Sequence, residues 1–271
     1  MLELGDVKVN RLGFGAMRIV GDGVWGPPAD RSESLAVLRR AVELGVNFVD
    51  TADSYGPEVS EELIAEALYP YPSELVIATK GGLERSGPVK WHRNAHPDHL
   101  REACEGSLRR LRVERIDLYQ LHAVDPNIPL AESLGELNAL QNEGKIRHIG
   151  VSNVDVDQLV QARQLAEVVS VQNRYSVMER ESEDVLLACE RDGLGFIPWF
   201  PLGAGSIDAH GPLAQVAERH DASPMQIALA WLLHRSPVML PIPGTSSIDH
   251  LEENVAAAQI DLSDEDLAEL S

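Results

Sequence analysis

The sequence has few cysteines and few basic residues for its length. Two cysteines, Cys104 and Cys189, occur among 271 residues. Their spacing fits no CxxC motif, so the chain cannot build a disulfide framework or a zinc ribbon. Lysine and arginine number 23 against 43 aspartates and glutamates, which gives a net charge of −20. Nucleic acids and anionic membranes attract basic surfaces, so we expect neither as a partner.

The sequence also lacks long apolar runs and linker-like segments. Its apolar stretches are of strand length, well short of the roughly 20 residues that a membrane-spanning helix needs. The opening MLELGDVKVN has no signal-peptide core, so we expect a cytoplasmic protein. Because no Ser/Gly-rich or low-complexity tract divides the chain, we predict a single domain over residues 1–271.

The sequence does contain a regular alternation of short β-branched or aromatic runs with longer segments of helical periodicity. Gly45 and Gly144 follow two of the helical segments, where each can end a helix in the left-handed conformation. Eight strand–helix units in one domain predict a (β/α)8 TIM barrel with parallel strands, here preceded by a short N-terminal β-hairpin. The candidate strands are LGFGAM, NFVDTA, ELVIATK, IDLYQLH, IRHIGVS, VVSVQN, GFIPWF and VMLPIP.

A doubly wound open sheet is the alternative fold. The segment GFGAMR contains two glycines in GxG spacing, as in a dinucleotide-binding turn. However, Arg18 stands where the third glycine is needed, and the next helix begins too late. The barrel is therefore favoured, and it places the active site at the C-terminal ends of the strands.

Polar residues end several of the candidate strands. Asp50 and Lys80 each follow an apolar run on neighbouring strands, and a buried lysine needs such a carboxylate partner. Tyr55 lies on a turn just beyond Asp50. A nearby ammonium favours the phenolate form of tyrosine, so we expect Lys80 to acidify Tyr55 and Asp50 to keep Lys80 charged. His122 ends another strand and can hold a carbonyl oxygen in line with the phenol.

These four residues can deliver a proton but hold no electrons, so a cofactor must supply hydride. Ser152, Asn153 and Gln172 offer amides and a hydroxyl suited to a carboxamide, and Trp199 offers a flat face for a nicotinamide. Leu202 and Gly203 open a glycine-containing loop. The segment PIPGTSSIDHLEEN supplies hydroxyls and backbone amides at a helix start, which suits a phosphate.

Eight motifs, in order along nearly the whole chain, resemble those of the aldo-keto reductase family: LGFGAMR, FVDTADSYG, ATKGG, LH, IGVSN, VQN, FPLG and IPGTSSIDHLEEN. The resemblance implies a barrel that reduces aldehydes or ketones with NADPH. It implies Tyr55 as proton donor, Lys80 and Asp50 as the residues that tune it, and His122 as the residue that orients the substrate. The residues implied for the adenosine phosphate end are Gly244, Thr245, Ser246, His250, Glu253 and Asn254.

The sequence departs from the family pattern at three of these positions. Trp199 replaces the usual tyrosine and keeps a stacking surface. Gly244 and His250 stand where many relatives have a lysine and an arginine for the 2′-phosphate. We predict a preference for NADPH, supported by Thr245, Ser246 and His250, with NADH as the alternative cofactor.

Within the family, the sequence resembles a bacterial branch that includes pyridoxal reductases. The branch implies reduction of an aromatic aldehyde, here pyridoxal to pyridoxine, and we expect Met17, Trp25 and Trp91 as pocket walls. The partner expected is a small-molecule aldehyde or ketone, and the expected state is a monomer or a weak homo-oligomer. Since the sequence ends soon after the last predicted helix, we expect an open pocket of broad specificity.

The sequence raises two alternatives to a reductase and one candidate metal site. The same barrel resembles NADPH-binding β subunits of potassium channels, which would turn over little. A Schiff-base lyase using Lys80 is less favoured, because Asp50 would keep its amine protonated. His92, His96 and His99 have a spacing that could recruit zinc, but a helix start at Pro97 would separate them, so no metal site is predicted.

Overall fold

The computed structural model describes residues 1–203 and 211–270. Its strands and helices alternate along most of the chain. The strands are β1 (Leu2–Leu4), β2 (Val7–Val9), β3 (Phe14–Gly15), β4 (Phe48–Asp50), β5 (Val76–Gly81), β6 (Leu83–Gly87), β7 (Lys90–Arg93), β8 (Ile116–Leu121), β9 (Ile146–Ser152), β10 (Val168–Arg174) and β11 (Gly195–Trp199). The helices are α1 (Arg31–Glu43), α2 (Val59–Leu68), α3 (Pro97–Leu111), α4 (Leu130–Asn142), α5 (Val156–Leu165), α6 (Glu183–Asp192), α7 (Pro212–Arg219), α8 (Pro224–Arg235), α9 (Ile248–Ala256) and α10 (Asp264–Glu269).

The central sheet has seven strands in the order β3-β4-β5-β8-β9-β10-β11. Every neighbouring pair in it is parallel. Parallel strands need a crossover between them, and helices supply most of these crossovers along the chain. The carboxyl ends of all seven strands therefore meet at one end of the sheet, where the polar residues of the sequence were predicted to gather.

The eighth predicted strand, residues 238–243, closes the sheet on itself. On one side, Phe196 of β11 donates to Val238 O (2.9 Å) and accepts from Leu240 N (2.8 Å). On the other side, Gly13 donates to Pro241 O (2.9 Å). The prolines in this segment have no N–H to donate, so it joins the two edge strands through a few backbone hydrogen bonds rather than a regular ladder. The fold is the predicted TIM-barrel type, with seven regular strands and one irregular one.

The predicted N-terminal hairpin is formed by β1 and β2, which pair in antiparallel fashion. Its apolar side chains belong to the same buried cluster as inward-facing residues of the barrel, among them Phe48 and Ile197. Leu4 packs against Gly195, the first residue of β11, where a side chain would collide with it. The hairpin therefore covers the amino-terminal end of the barrel, and the opposite end stays open.

Glycines end α1 and α4 as the sequence predicted. Gly45 has φ of +86° and Gly144 has φ of +78°, both in the left-handed region. After α4, Gly144 N donates to Gln141 O (2.9 Å) and Lys145 N donates to Leu140 O (3.0 Å). This Schellman arrangement satisfies the last carbonyls of the helix and turns the chain into β9.

A second hairpin, β6–β7, was not predicted from the sequence. It pairs in antiparallel fashion directly after β5, with a register shift between Arg85 and Gly87. Four of its residues carry charged side chains and β7 is exposed, so no apolar alternation marked it as a pair of strands. In residues 1–203 and 211–270, no helix is both long enough and apolar enough to cross a membrane.

Candidate active site

Three residues predicted for proton transfer lie together at the open end of the barrel. Asp50 ends β4 and pairs in register with Ala78 of β5, which places Lys80 two residues further along on the same inward face. Lys80 Nζ lies 2.6 Å from Asp50 Oδ1. It also donates to Thr51 O (2.7 Å) and to the Tyr55 hydroxyl (3.4 Å). The ammonium therefore bridges the carboxylate and the phenol.

The surrounding protein shields Asp50, Tyr55 and Lys80 from water. Lys80 is 0% exposed, Asp50 1% and Tyr55 7%. The second carboxylate oxygen, Asp50 Oδ2, accepts from Gln120 Nε2 (3.0 Å) and Gln172 Nε2 (2.8 Å). With both oxygens hydrogen bonded and an ammonium beside it, the carboxylate is held in one orientation.

Gln120 was missed by the sequence analysis. It lies on β8 two residues before His122, so both side chains point to the same face of the strand. Period two along IDLYQLH was the signal that could have identified it. An amide in this place anchors Asp50 without adding a charge to the buried group.

Burial and neighbouring charges act in opposite directions on the Tyr55 phenol. Burial raises the pKa of Tyr55, the Lys80 ammonium lowers it and the Asp50 carboxylate raises it again, with a net increase above 10.0. Lys80 thus lowers the pKa of Tyr55 as expected, but desolvation of the phenolate outweighs the ammonium, so the pKa is raised overall. Burial alone would lower the pKa of Lys80, but Asp50 and Tyr55 raise it above its ordinary value, so the amine stays protonated.

His122 follows β8 and faces Tyr55. The two ring centroids lie 6.0 Å apart, and His122 Nδ1 lies 3.4 Å from Ser54 Oγ. Burial and the positive charge of Lys80 together hold the pKa of His122 well below 6.5. The imidazole is therefore neutral at physiological pH, and in the tautomer that accepts from Ser54 it has an Nε2–H to donate.

A cavity of about 700 Å³ opens over these residues. Its walls include Met17 and Trp91 from the predicted substrate pocket. Of the predicted cofactor residues, those that line it are Ser152, Asn153, Gln172, Trp199, Leu202, Gly244, Thr245, Ser246, His250, Glu253 and Asn254. Gly203 is not among the lining residues, and Lys80 lies behind Tyr55.

Trp25 is the predicted pocket residue that the cavity leaves out. It is 36% exposed and does not line the cavity. Arg85 lies near both tryptophans, with its Cζ 5.7 Å from the Trp25 ring centroid and 3.7 Å from that of Trp91. Trp25 therefore lies next to the hairpin residues and not on the cavity wall.

Arg85 holds Trp91 at the cavity wall and was not found by the sequence analysis. Its guanidinium donates to four backbone carbonyls at distances of 2.7 to 3.3 Å, those of Val24, Ser54, Gly23 and Gly87. The Trp91 ring lies on this fixed plane, 6.4 Å from the Tyr55 ring and 6.3 Å from the His122 ring. An arginine between Glu84 and Ser86 in LERSG gave no sequence signal for this role.

The donor set suits a nicotinamide carboxamide. Gln172 uses its amide NH2 on Asp50 and Gln120, which leaves its Oε1 without a partner among the described residues and open to a carboxamide N–H. Ser152 donates its hydroxyl to Gln172 O (2.7 Å), so that proton is already used. Asn153 Oδ1 accepts from Trp199 Nε1 (3.1 Å), which fixes the indole beside the amides. The polar and flat surfaces that a nicotinamide needs are thus adjacent.

Each of the three histidines considered for zinc has a different neighbour as its partner. His92 Nε2 lies 2.6 Å from Ser86 Oγ, His96 Nδ1 accepts from Asp98 N (3.3 Å), and His99 Nδ1 lies 3.5 Å from Glu84. His96 is the residue that caps α3. Over the part of the chain that the structure describes, no group of three candidate ligands could hold a metal ion.

Comparison with known proteins gives consistent matches. Residues 11–271 match the Aldo/keto reductase family. An uncharacterized oxidoreductase of Schizosaccharomyces pombe is 53% identical over 99% of this chain and 88% of its own length. Pyridoxine 4-dehydrogenase of Escherichia coli is 44% identical over 98% of this chain and 96% of its own. An aldo/keto reductase of Klebsiella pneumoniae, solved in complex with NADP and acetate, is 32% identical with a TM-score of 0.82, over 97% of this chain and 90% of its own.

Proposed function

This chain belongs to the aldo/keto reductase family, and on that basis we propose that it reduces aldehydes or ketones with NADPH, with Tyr55 as the proton donor. It is an NADP-dependent oxidoreductase. The observation that carries the assignment of Tyr55 is the bridge from Asp50 through Lys80 Nζ to the phenol, at the wall of a cavity that also contains the polar side chains suited to a carboxamide. We also propose that residues 1–271 act as one catalytic domain.

The bound cofactor supplies hydride to the carbonyl carbon, and this chain's residues supply the proton and the electrostatic support. Tyr55 rests as the neutral phenol, because its pKa is raised, and so holds a proton to give to the carbonyl oxygen. The Lys80 ammonium, 3.4 Å from the hydroxyl, stabilises the phenolate that remains. Asp50 keeps that ammonium in place. His122 donates from Nε2 to the same oxygen and orients the carbonyl.

The cofactor would lie along the cavity from the amides to the start of α9. Gln172, Asn153 and Ser152 would hold its carboxamide, and the Trp199 indole would offer a stacking face for its ring. Thr245, Ser246, His250 and Asn254 would hold the adenosine end, next to the helix start that Ser247 caps. The relative solved with NADP supports this cofactor.

The substrate we propose is an aromatic aldehyde, with pyridoxal as the leading candidate. Trp91 and Met17 line the cavity together with Tyr55 and His122, and an aromatic ring packs favourably against such surfaces. The relative named pyridoxine 4-dehydrogenase acts on the corresponding alcohol, and its identity extends over nearly the whole chain. Reduction of pyridoxal is that reaction in reverse.

The test is aldehyde-dependent consumption of NADPH, followed by the loss of nicotinamide absorbance. The panel should contain pyridoxal, 4-nitrobenzaldehyde and an aliphatic aldehyde, each with NADPH and with NADH. We expect turnover with NADPH, with pyridoxal among the better substrates. NADPH binding without turnover of any carbonyl would instead favour a regulatory barrel, and borohydride trapping of a carbonyl substrate on Lys80 would favour a lyase.

A further inference from the structure

Arg18 gives the cavity a positive charge that the proposed function does not yet use. Among the described residues that line the cavity, it is the one arginine or lysine. It follows β3 and lies in the 3₁₀ helix Ala16–Ile19. The Gly244–Asn254 segment is distant in sequence, but it follows residues 238–243, which pair with the β3 region where the barrel closes. The chain as a whole has a net charge of −20, so a cation at this place is conspicuous.

Arg18 lies directly against Gly244. A Cβ on Gly244 would be 3.5 Å from Arg18 Cγ, which is ordinary van der Waals contact. The two backbones are also close, because Gly15 N donates to Pro243 O (3.4 Å). The carbonyl oxygen of Gly15 occupies the space that a Cβ at residue 244 would need, and the aliphatic stem of Arg18 lies beside it. Arg18 and Gly244 therefore line the cavity side by side, at the start of the segment proposed to hold the adenosine end.

Among the described residues, the Arg18 guanidinium has no partner. Within residues 1–203 and 211–270, Arg18 makes no hydrogen bond or ion pair, and its side chain is exposed to the cavity mouth. Glu253 lines the same cavity without pairing to it, and Asp50 is already paired with Lys80 at 2.6 Å. An unpaired arginine in a concave site is suited to a phosphate, which it can bind through two parallel N–H bonds.

We propose that Arg18 binds the 2′-phosphate of NADPH and is the main source of selectivity for NADPH over NADH. This inference rests on the proposed function. A 2′-phosphate carries about −1.5 to −2 charge at pH 7, and without Arg18 the lining would meet it with the carboxylate of Glu253 and no arginine or lysine. The positive charge is thus supplied by Arg18 in the 3₁₀ helix after β3, next to Gly244, which has no side chain to carry a charge.

The experiment measures dissociation constants of NADPH and NADH by quenching of tryptophan fluorescence, without any carbonyl substrate. The variants are Arg18→Gln, Arg18→Lys and, as a control that removes an exposed arginine far from the cavity, Arg39→Gln on α1. We expect Arg18→Gln to weaken NADPH binding about 10- to 100-fold, the loss typical of a charge-assisted contact. NADH binding should change less than about 3-fold by the same reasoning, and Arg18→Lys should recover part of the NADPH affinity.

Each outcome separates this inference from the proposed function. Equal weakening of NADPH and NADH by Arg18→Gln would overturn the 2′-phosphate assignment, since both cofactors share the pyrophosphate. Unchanged NADPH affinity in Arg18→Gln would overturn the role of Arg18 while leaving the reductase intact. If the unmodified chain bound neither nicotinamide, the proposed function itself would fail.

Discussion

Asp50 and Lys80 hold two opposite charges away from water, with both carboxylate oxygens and all three ammonium protons hydrogen bonded. A buried ion pair gains Coulomb energy but loses hydration, and the two effects nearly cancel. Here the remaining oxygen of Asp50 is bound by two glutamine amides, and Lys80 has a third partner in Tyr55. The pair is therefore better explained by its chemistry than by stability, since it keeps an ammonium next to the phenol.

Removing one partner of this pair should destabilise the fold strongly. In Lys80→Met the Asp50 carboxylate stays buried without its counter-ion, and we expect a loss of about 3–5 kcal/mol in the free energy of unfolding. The double variant Lys80→Met with Asp50→Asn should lose clearly less than Lys80→Met alone. Urea denaturation measures both. Arg31→Met, which breaks the exposed pair with Glu66, is the control and should have little effect. A double variant as unstable as the single one would contradict the explanation.

The pH dependence of carbonyl reduction follows from two pKa shifts. His122 has a pKa held well below 6.5 and is already neutral there, so it should produce no change in rate near that pH. Tyr55 must hold its proton to donate it. Because its pKa is raised above 10.0, activity should be present below that pKa and fall only as the pH rises through it. Steady-state kcat/KM with 4-nitrobenzaldehyde, which does not titrate, measures the profile. A step near pH 6.5 that disappears in His122→Gln would contradict it.

The residues predicted from the sequence share a common signal. Asp50, Lys80 and His122 interrupt or end apolar strands, and a barrel brings strand ends together, so their meeting followed from the pattern. The net effect on Tyr55 did not follow, because the sequence shows which charges are near but not how completely the phenol is removed from water. Arg85 was not predictable either, since three of its four backbone carbonyl partners, those of Gly23, Val24 and Ser54, are distant from it in sequence.

At the scale of elements, the β6–β7 hairpin forms the side of the cavity that we propose for the substrate. It carries Trp91 to the site, and Arg85 ties it to the turn at residues 22–24. The turn and the hairpin are thus coupled through one guanidinium. Use of aromatic aldehydes should depend on this coupling more than binding of the nicotinamide cofactor does, since other elements form the part of the cavity proposed for the cofactor.

Arg85→Met should therefore impair substrate use and spare cofactor binding. We expect KM for an aromatic aldehyde to rise roughly 10-fold, the equivalent of about 1.4 kcal/mol, because Trp91 loses the fixed plane it rests on. The dissociation constant of NADPH should stay within about 2-fold on the same scale. Arg93→Met on the exposed strand β7 is the matched control. A loss of NADPH affinity equal to the rise in KM would show that the hairpin supports the whole barrel mouth instead.

Helix α4 tests the prediction that a glycine in the left-handed conformation ends the helix. Gly144 has φ of +78° and open space around it, so Gly144→Ala should cost about 1–2 kcal/mol through backbone strain alone. Gly135 lies within the exposed middle of the same helix, also with open space. Gly135→Ala should stabilise by about 0.5–1 kcal/mol. Thermal or urea unfolding compares them, and effects of the same sign would contradict the assignment of the helix end.

At the scale of the whole molecule, the barrel could be predicted because each strand–helix unit carries its own pattern. Eight units in one chain leave few other ways to bury every strand. The least regular parts were the hardest to predict. Residues 238–243 contain prolines that prevent a full ladder, and the less exposed positions of β6, residues 83, 85 and 87, are not an apolar series. Both owe their places to tertiary contacts that a sequence pattern does not record.

Proton donation by Tyr55 is tested most directly by a single turnover of bound NADPH with excess aldehyde. Stopped-flow absorbance of the nicotinamide follows the step in the parent chain and in Tyr55→Phe, with NADPH affinity measured on the same samples. Tyr69→Phe removes the hydroxyl of a tyrosine that is 51% exposed and serves as the control. We expect Tyr55→Phe to slow the step about 10²- to 10⁴-fold with unchanged NADPH affinity. A Tyr55→Phe rate equal to that of the parent would contradict the assignment of the proton donor.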